Sequence, residues 1–124
     1  LAQRLEIPLT TTMQAIKSTK REYTGIEDYA RAHGIQGHVL ESWHWREVTY
    51  KNRRALLIPT QTGDRYRFLD GNKPHYISTS GYRRCWYGLS VQNIERIADC
   101  KQVVICNGEI STIAAQTHGI TAIA

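Results

Sequence analysis

The residues with the most chemistry to offer fall into two groups. The first runs through the middle of the chain: Arg53, Arg54, Arg65, Arg67, Lys73, His75, Arg83 and Arg84, interleaved with Tyr66, Tyr76, Tyr82, Trp86 and Tyr87. Guanidinium groups bind phosphate oxygens through paired hydrogen bonds, and aromatic faces stack on unpaired bases. The combination suits single-stranded nucleic acid. It equally suits a solvated basic face over an aromatic core. The second group is Asn107-Gly108-Glu109, a tight-turn pair followed by a carboxylate. Near a helix N-terminus that carboxylate is either a favourable dipole partner or a ligand for a hard cation that wants oxygen donors. Glu109 alone makes a poor Mg²⁺ site, and no D-x-D pair elsewhere in the chain supplies further acids.

Charge and composition narrow the classes. The 124 residues carry a formal charge of +5. Between Arg46 and Arg84 nine Lys or Arg residues face only Glu47, Asp64 and Asp70, which suggests a polyanionic partner. Cys85, Cys100 and Cys106 are an odd set without C-x-x-C spacing, so a disulfide framework and a structural zinc are not expected. Plain buried thiols in a reducing cytoplasm are the expectation. The five histidines are scattered without H-x-x-x-H spacing, and there is no G-x-S-x-G or G-x-x-x-x-G-K. No window is apolar enough to span a membrane and no signal-peptide layout opens the chain. The first residue is Leu1, which suggests a piece of a longer protein.

These groups need elements to position them. Residues 1–22 read as a weakly amphipathic helical arm or linker. Thr24-Gly25-Ile26-Glu27 has the form of a capping box, followed by Ile26, Tyr29, Ala30 and His33 at helical spacing and Gly34 as a stop. A short helix from about Gln36 to Trp43 puts Val39, Leu40 and Trp43 on one face. VTY, Lys51-Asn52 and ALLIPT form a hairpin. RYRFLDG then alternates, so that Arg65 and Arg67 share one face while Tyr66 and Phe68 take the other. One face is expected to pack and the other to meet solvent or a phosphate backbone.

Gly71-Asn72-Lys73-Pro74 turns the chain into the strand HYIST, and SGYRRCWYGL closes the segment. Ser90 is expected to cap a helix whose Val91, Ile94, Ile97 and Ala98 are buried. Val103–Ile105 reads as a buried strand. A helix with Ile113, Ala114 and Thr117 on one side follows the Asn107-Gly108 turn, and Ile120–Ala124 returns as a second apolar strand. That is a βαβ unit with its polar turn at the carboxyl end of a strand, where open α/β sheets place ligands. The order predicts an α+β fold: helices, an antiparallel basic β subdomain, then the start of an α/β domain. The expected boundaries are 1–22, 23–100 and 101–124.

Two stretches together resemble a known family. RYRFLDG, KPHYIST and RRCWYGL, followed by a helix and VVICNGE, are similar to the catalytic core of bacterial and phage primases. That family joins a basic β-rich subdomain to a Toprim (topoisomerase–primase) domain. Its G-x-R strand, P-K-Y-x-x-S segment, L-Y-G-L element and apolar strand ending in Glu-Gly match in order from about Ala55 to Ala124. TGIEDYARAHGI and the W-x-E at Trp45-Arg46-Glu47 further resemble the leader of primase-like proteins on phages and mobile elements.

The resemblance makes Arg67 the strand arginine that contacts template or nucleotide. Pro74 and Tyr76 fall on the P-x-Y positions, with His75 where the family has Lys and Lys73 beside it. Trp86-Tyr87-Gly88-Leu89 matches a structural element. The family's catalytic Glu falls on Asn107, and its acid four residues later falls on Ser111. Glu109 follows the glycine and is the candidate substitute, as catalytic residue and metal ligand.

The implied function is the nucleic-acid-binding part of a DNA replication protein, its partner single-stranded DNA or a primer–template. The whole protein would make primers by Mg²⁺-dependent nucleotidyl transfer, with a second, D-x-D motif expected beyond Ala124. This chain alone is expected to be inactive. Alternatives are a non-catalytic adaptor for a replicative helicase and a Toprim nuclease. The apolar strand in 103–124 is expected to pair with another chain or with further residues, because an open edge is a liability.

Overall fold

The computed structural model describes residues 21–91 and 93–124. Nearly all of the expected arm at 1–22 therefore lies outside the described residues, and Arg21 and Glu22 are not helical. Among the described residues the fold is mixed α+β, with an antiparallel four-stranded sheet, a small parallel pair and four helices. No helix among them is long and apolar enough to cross a membrane.

Helix α1 (Ile26–Ala32) buries Tyr29 and Ala30, and the chain leaves it through His33 and Gly34, whose φ of 78° suits a residue without Cβ. Its N-cap is Gly25, not Thr24, and no side chain caps it in the expected box. The first amide instead donates to Glu47 Oε1 on the neighbouring strand at 2.6 Å, while Thr24 N–H donates to Asp28 at 2.9 Å. Helix α2 (Gly37–Ser42) is joined to α1 by Glu27, which accepts the Gly37 amide at 2.7 Å and Arg31 Nε at 2.9 Å. An acid at the start of each helix, taken from elsewhere in the fold, satisfies amides that the helix leaves unpaired.

Strands β1 (Arg46–Tyr50), β2 (Arg53–Thr60), β3 (Gly63–Phe68) and β4 (Tyr76–Ser78) form a meander in that order. Lys51 and Asn52 both take positive φ, 51° and 61°, as a two-residue turn matched to strand twist requires. The register sets Leu56 opposite Arg67 and Ile58 opposite Arg65. These four share a face, and that face is the one covered by helices. Leu56 and Ile58 pack there with Tyr29, Leu40, Trp45, Ile110 and Ile113. Both faces of the strand pack, where one was expected to meet solvent or a phosphate backbone. Tyr66 and Phe68 lie on the other side with Ala55, in a cluster built from strand residues alone, where the Tyr50 and Tyr66 rings stack at 3.9 Å.

The last quarter of the chain holds α3 (Ile94–Ala98), β5 (Val104–Ile105), α4 (Glu109–Thr117) and β6 (Ala122–Ile123). Helix α3 is shorter than expected, with Asn93 at its N-cap rather than Ser90. Ile97 is its buried residue, while Val91 is 89% exposed and Ile94 is exposed too. Helix α4 buries Glu109, Ile110, Thr112 and Ile113, so its inward face is not the expected Ile113–Ala114–Thr117 stripe.

The β5–β6 pair is parallel, and Tyr87 and Ala124 exchange both backbone hydrogen bonds, at 2.7 and 3.0 Å. Strand β6 is therefore bordered on both sides, and the unpaired edge among the described residues belongs to β5. Val104 and Ile105 are exposed there, against the expectation of a buried strand. The two parts of the fold share one core, tied by Trp45 Nε1 donating to the buried Tyr87 hydroxyl at 2.8 Å.

Candidate nucleic-acid interface

Strand β3 supplies the central side chains. Alternation puts Arg65 and Arg67 on the helix-covered face, paired with Ser78 and Tyr76 of the edge strand β4. Arg67 is held by rings. Its guanidinium carbon lies 5.1 Å from the centre of the Tyr76 ring, 5.5 Å from Tyr29 and 5.8 Å from Tyr23. It donates to the Phe68 carbonyl at 2.8 Å, and its buried Nε has no acceptor among the described residues. Nη1 also donates to the His75 carbonyl at 3.4 Å, and the aromatic faces attract the cation without accepting an in-plane hydrogen bond. Burial pushes the Tyr29 phenol well above the ordinary tyrosine range, and its hydroxyl shares a hydrogen bond of 3.4 Å with Tyr76.

Arg65 takes a different partner. Its Nη1 donates to Glu109 Oε1 across the fold, and its Nε donates to Ser78 Oγ at 3.3 Å. Ser78 stands directly opposite Arg65 in the β3–β4 register. The Arg65 guanidinium also lies 5.3 Å from the Tyr76 ring and 5.8 Å from Tyr82. Tyr76, 38% exposed, thus has two guanidinium groups near its ring, Arg65 at 5.3 Å and Arg67 at 5.1 Å.

Arg65 also borders a cleft of about 960 Å³ between the sheet and the βαβ turn. Ser78 joins it from the sheet, Tyr82, Arg84 and Trp86 from the connecting segment, and Asn107, Gly108 and Glu109 from the turn before α4. Trp86 is 51% exposed, so its indole is open to a stacking partner. Cys85 lines the same cleft. Burial raises its thiol, but hydrogen bonds from Thr62, Thr60 and nearby amides outweigh that and leave it below the ordinary cysteine range. All three cysteines are free and only half-buried, not the fully buried thiols expected.

The expected basic residues do not form one surface. Arg53 projects from the opposite face, where both its Nε and Nη2 donate to Asp70 at 2.7 Å and its guanidinium covers Phe68 at 3.7 Å. Arg54 donates to the Thr24 carbonyl. Lys73 and His75 are exposed in the β3–β4 loop, and Arg83 and Arg84 are exposed beyond β4. Arg65 and Arg84 line the cleft, and Arg65 and Arg67 lie against the Tyr76 ring. Of the aromatic residues, Tyr87 is buried and Tyr66 faces away, leaving Tyr76, Tyr82 and Trp86 on this side. Ser78 was not singled out from sequence, since the connection between Phe68 and Tyr76 leaves the β3–β4 register open. Nothing in the sequence marked Cys85 as a cleft residue.

At the turn, Asn107 is exposed and Glu109 is buried against Arg65, its side chain 8% exposed. Among the described residues no three His, Cys, Asp or Glu side chains come together as a metal-binding group. One carboxylate already paired with a guanidinium, beside an amide, does not fit a Mg²⁺ donor set. Comparison with protein-family models, with curated proteins and with solved structures gives no match to this chain.

Proposed function

We propose that this chain is the nucleic-acid-binding part of a primase-like replication protein with a Toprim lineage, and that it holds single-stranded DNA or a primer–template. The observation that carries the reading is the grouping of Arg65 and Arg67 at the Tyr76 ring, with Arg65 also bordering the cleft lined by Tyr82, Arg84 and Trp86. A strand laid along it would meet guanidinium groups at its phosphates and rings at its bases, which is how single strands are held without sequence preference. In this reading Mg²⁺-dependent nucleotidyl transfer belongs to the whole protein and needs acids from beyond these residues.

Fluorescence anisotropy with a labelled single-stranded oligonucleotide, at a series of salt concentrations, tests the binding. Affinity should fall steeply with salt, and Arg67→Ala should weaken it by about one phosphate contact, roughly tenfold at low salt. Tyr76→Ala should cost about 1–3 kcal/mol if a base stacks there. No binding at low salt, or binding indifferent to salt, would rule the proposal out.

A second reading, the non-catalytic adaptor, draws on the turn itself. By the resemblance to Toprim proteins, Asn107 and Ser111 stand where that family has acids, and Glu109 is committed to Arg65. A pull-down of a replicative helicase domain together with a failed oligonucleotide titration would favour it.

A further inference from the structure

We infer that Glu109 is the internal counter-anion of the cleft: it occupies the phosphate seat at Arg65, and nucleic acid must displace it to bind. The inference rests on the reading of the cleft as a polyanion site and adds how that site is regulated. Three observations carry it. Glu109 and Arg65 both line the cleft, so the ion pair lies where a ligand would arrive. The Arg65 guanidinium is oriented by Ser78 and flanked by Tyr76 and Tyr82, a seat that stays in place if the carboxylate leaves. Glu109 is the first residue of helix α4, after a glycine N-cap, and its carboxylate accepts from Arg65 on β3.

A carboxylate tethered beside a guanidinium competes as an intramolecular ligand, at an effective concentration on the order of millimolar. A lone phosphate or sulfate below that concentration loses. A chain of linked phosphates, engaging Arg65 together with Arg67 or Arg84, gains enough contacts to win. The gate therefore selects nucleic acid or another polyphosphate over isolated anions. It also links strand binding to the release of α4 from β3, because the displaced contact is one that joins them.

The test is a gain of binding, which a merely structural ion pair would not give. Anisotropy is read for wild type, Glu109→Gln, Arg65→Ala and the double variant with a labelled oligonucleotide, and calorimetry with inorganic phosphate. Glu109→Gln should bind the oligonucleotide about fivefold or more tightly than wild type, and should acquire binding of inorganic phosphate. Arg65→Ala should abolish that gain in the double variant.

In wild type, which needs no substitution to fold, saturating oligonucleotide should speed amide exchange at 110–114 while slowing it in β3 and β4. Unchanged or weaker binding by a folded Glu109→Gln, or uniform protection of α4 in wild type, overturns the gate and leaves the nucleic-acid reading standing. Binding by Glu109→Gln but not by wild type overturns the gate as well as the nucleic-acid reading of the wild-type chain, because nucleic acid then fails to displace the carboxylate. Absence of binding by both overturns the nucleic-acid reading and the gate with it.

Discussion

Asp70 and Tyr87 show how single side chains set stability here. The Arg53 guanidinium beside Asp70 holds its carboxyl far below the usual carboxylate range, helped by the Asn72 amide and opposed by burial. A carboxyl depressed in the folded state contributes stability that is complete above its unfolded value, about pH 4, and is lost as pH falls through the folded one. Thermal melts between pH 6 and 2 should therefore show, below about pH 4, a steeper decline in wild type than in Asp70→Asn, which starts lower. Tyr87 acts through its hydroxyl, which accepts the buried Trp45 indole N–H at 2.8 Å. Tyr87→Phe keeps the ring but strands that donor, and urea denaturation should report a loss of about 1–3 kcal/mol.

At the scale of elements, close approach decides which backbone conformations matter. Gly88 follows the Tyr87–Ala124 pairing with φ 85°, and a Cβ there would lie 2.9 Å from Thr112 Cγ2 and 3.4 Å from the Ala122 carbonyl. Gly88→Ala should thus combine left-handed strain of about 1–2 kcal/mol with overpacking of about 1–3 kcal/mol, prying the 87–88 segment from α4. Gly34 has a similar φ, 78°, but nothing within 4 Å of its Cβ position. Gly34→Ala should show the backbone cost alone, and comparing the two denaturation midpoints separates strain from crowding. The register of β1 and β2 was legible from Lys51-Asn52 and the alternation on either side. The extent of α3 was not, because Val91 and Ile94 have apolar spacing but find no cover among the described residues.

Across the molecule, stability should be uneven. Strands β2 and β3 pair along their length over a face filled by Tyr29, Leu40, Trp45 and Ile113, whereas β5 and β6 are two-residue strands and β5 is exposed. Native-state hydrogen exchange should be slowest in β2–β3 and fastest in 94–106, since exposed backbone bonds with few apolar neighbours open most easily. Equal protection of both regions would contradict this. The same layout places the candidate cleft where the well-packed sheet meets the weaker βαβ unit, with Arg65 and Glu109 as one of the bonds between them.

The amino-acid sequence by itself determined the elements and much of their order. Helical spacing around Tyr29, the Lys51-Asn52 turn, and the alternation that puts Arg65 and Arg67 together are local consequences of backbone geometry. It also marked the turn at Asn107–Glu109 as a place for chemistry. Only the tertiary structure decided which face of the sheet the helices cover. Alternation says which side chains share a face, and here both faces carry apolar residues, Leu56 and Ile58 on one, Ala55, Tyr66 and Phe68 on the other. The choice depends on what packs from elsewhere in the chain. For the same reason no local pattern could pair Glu109 with an arginine 44 residues earlier, or turn Arg53 away from the cleft to meet Asp70.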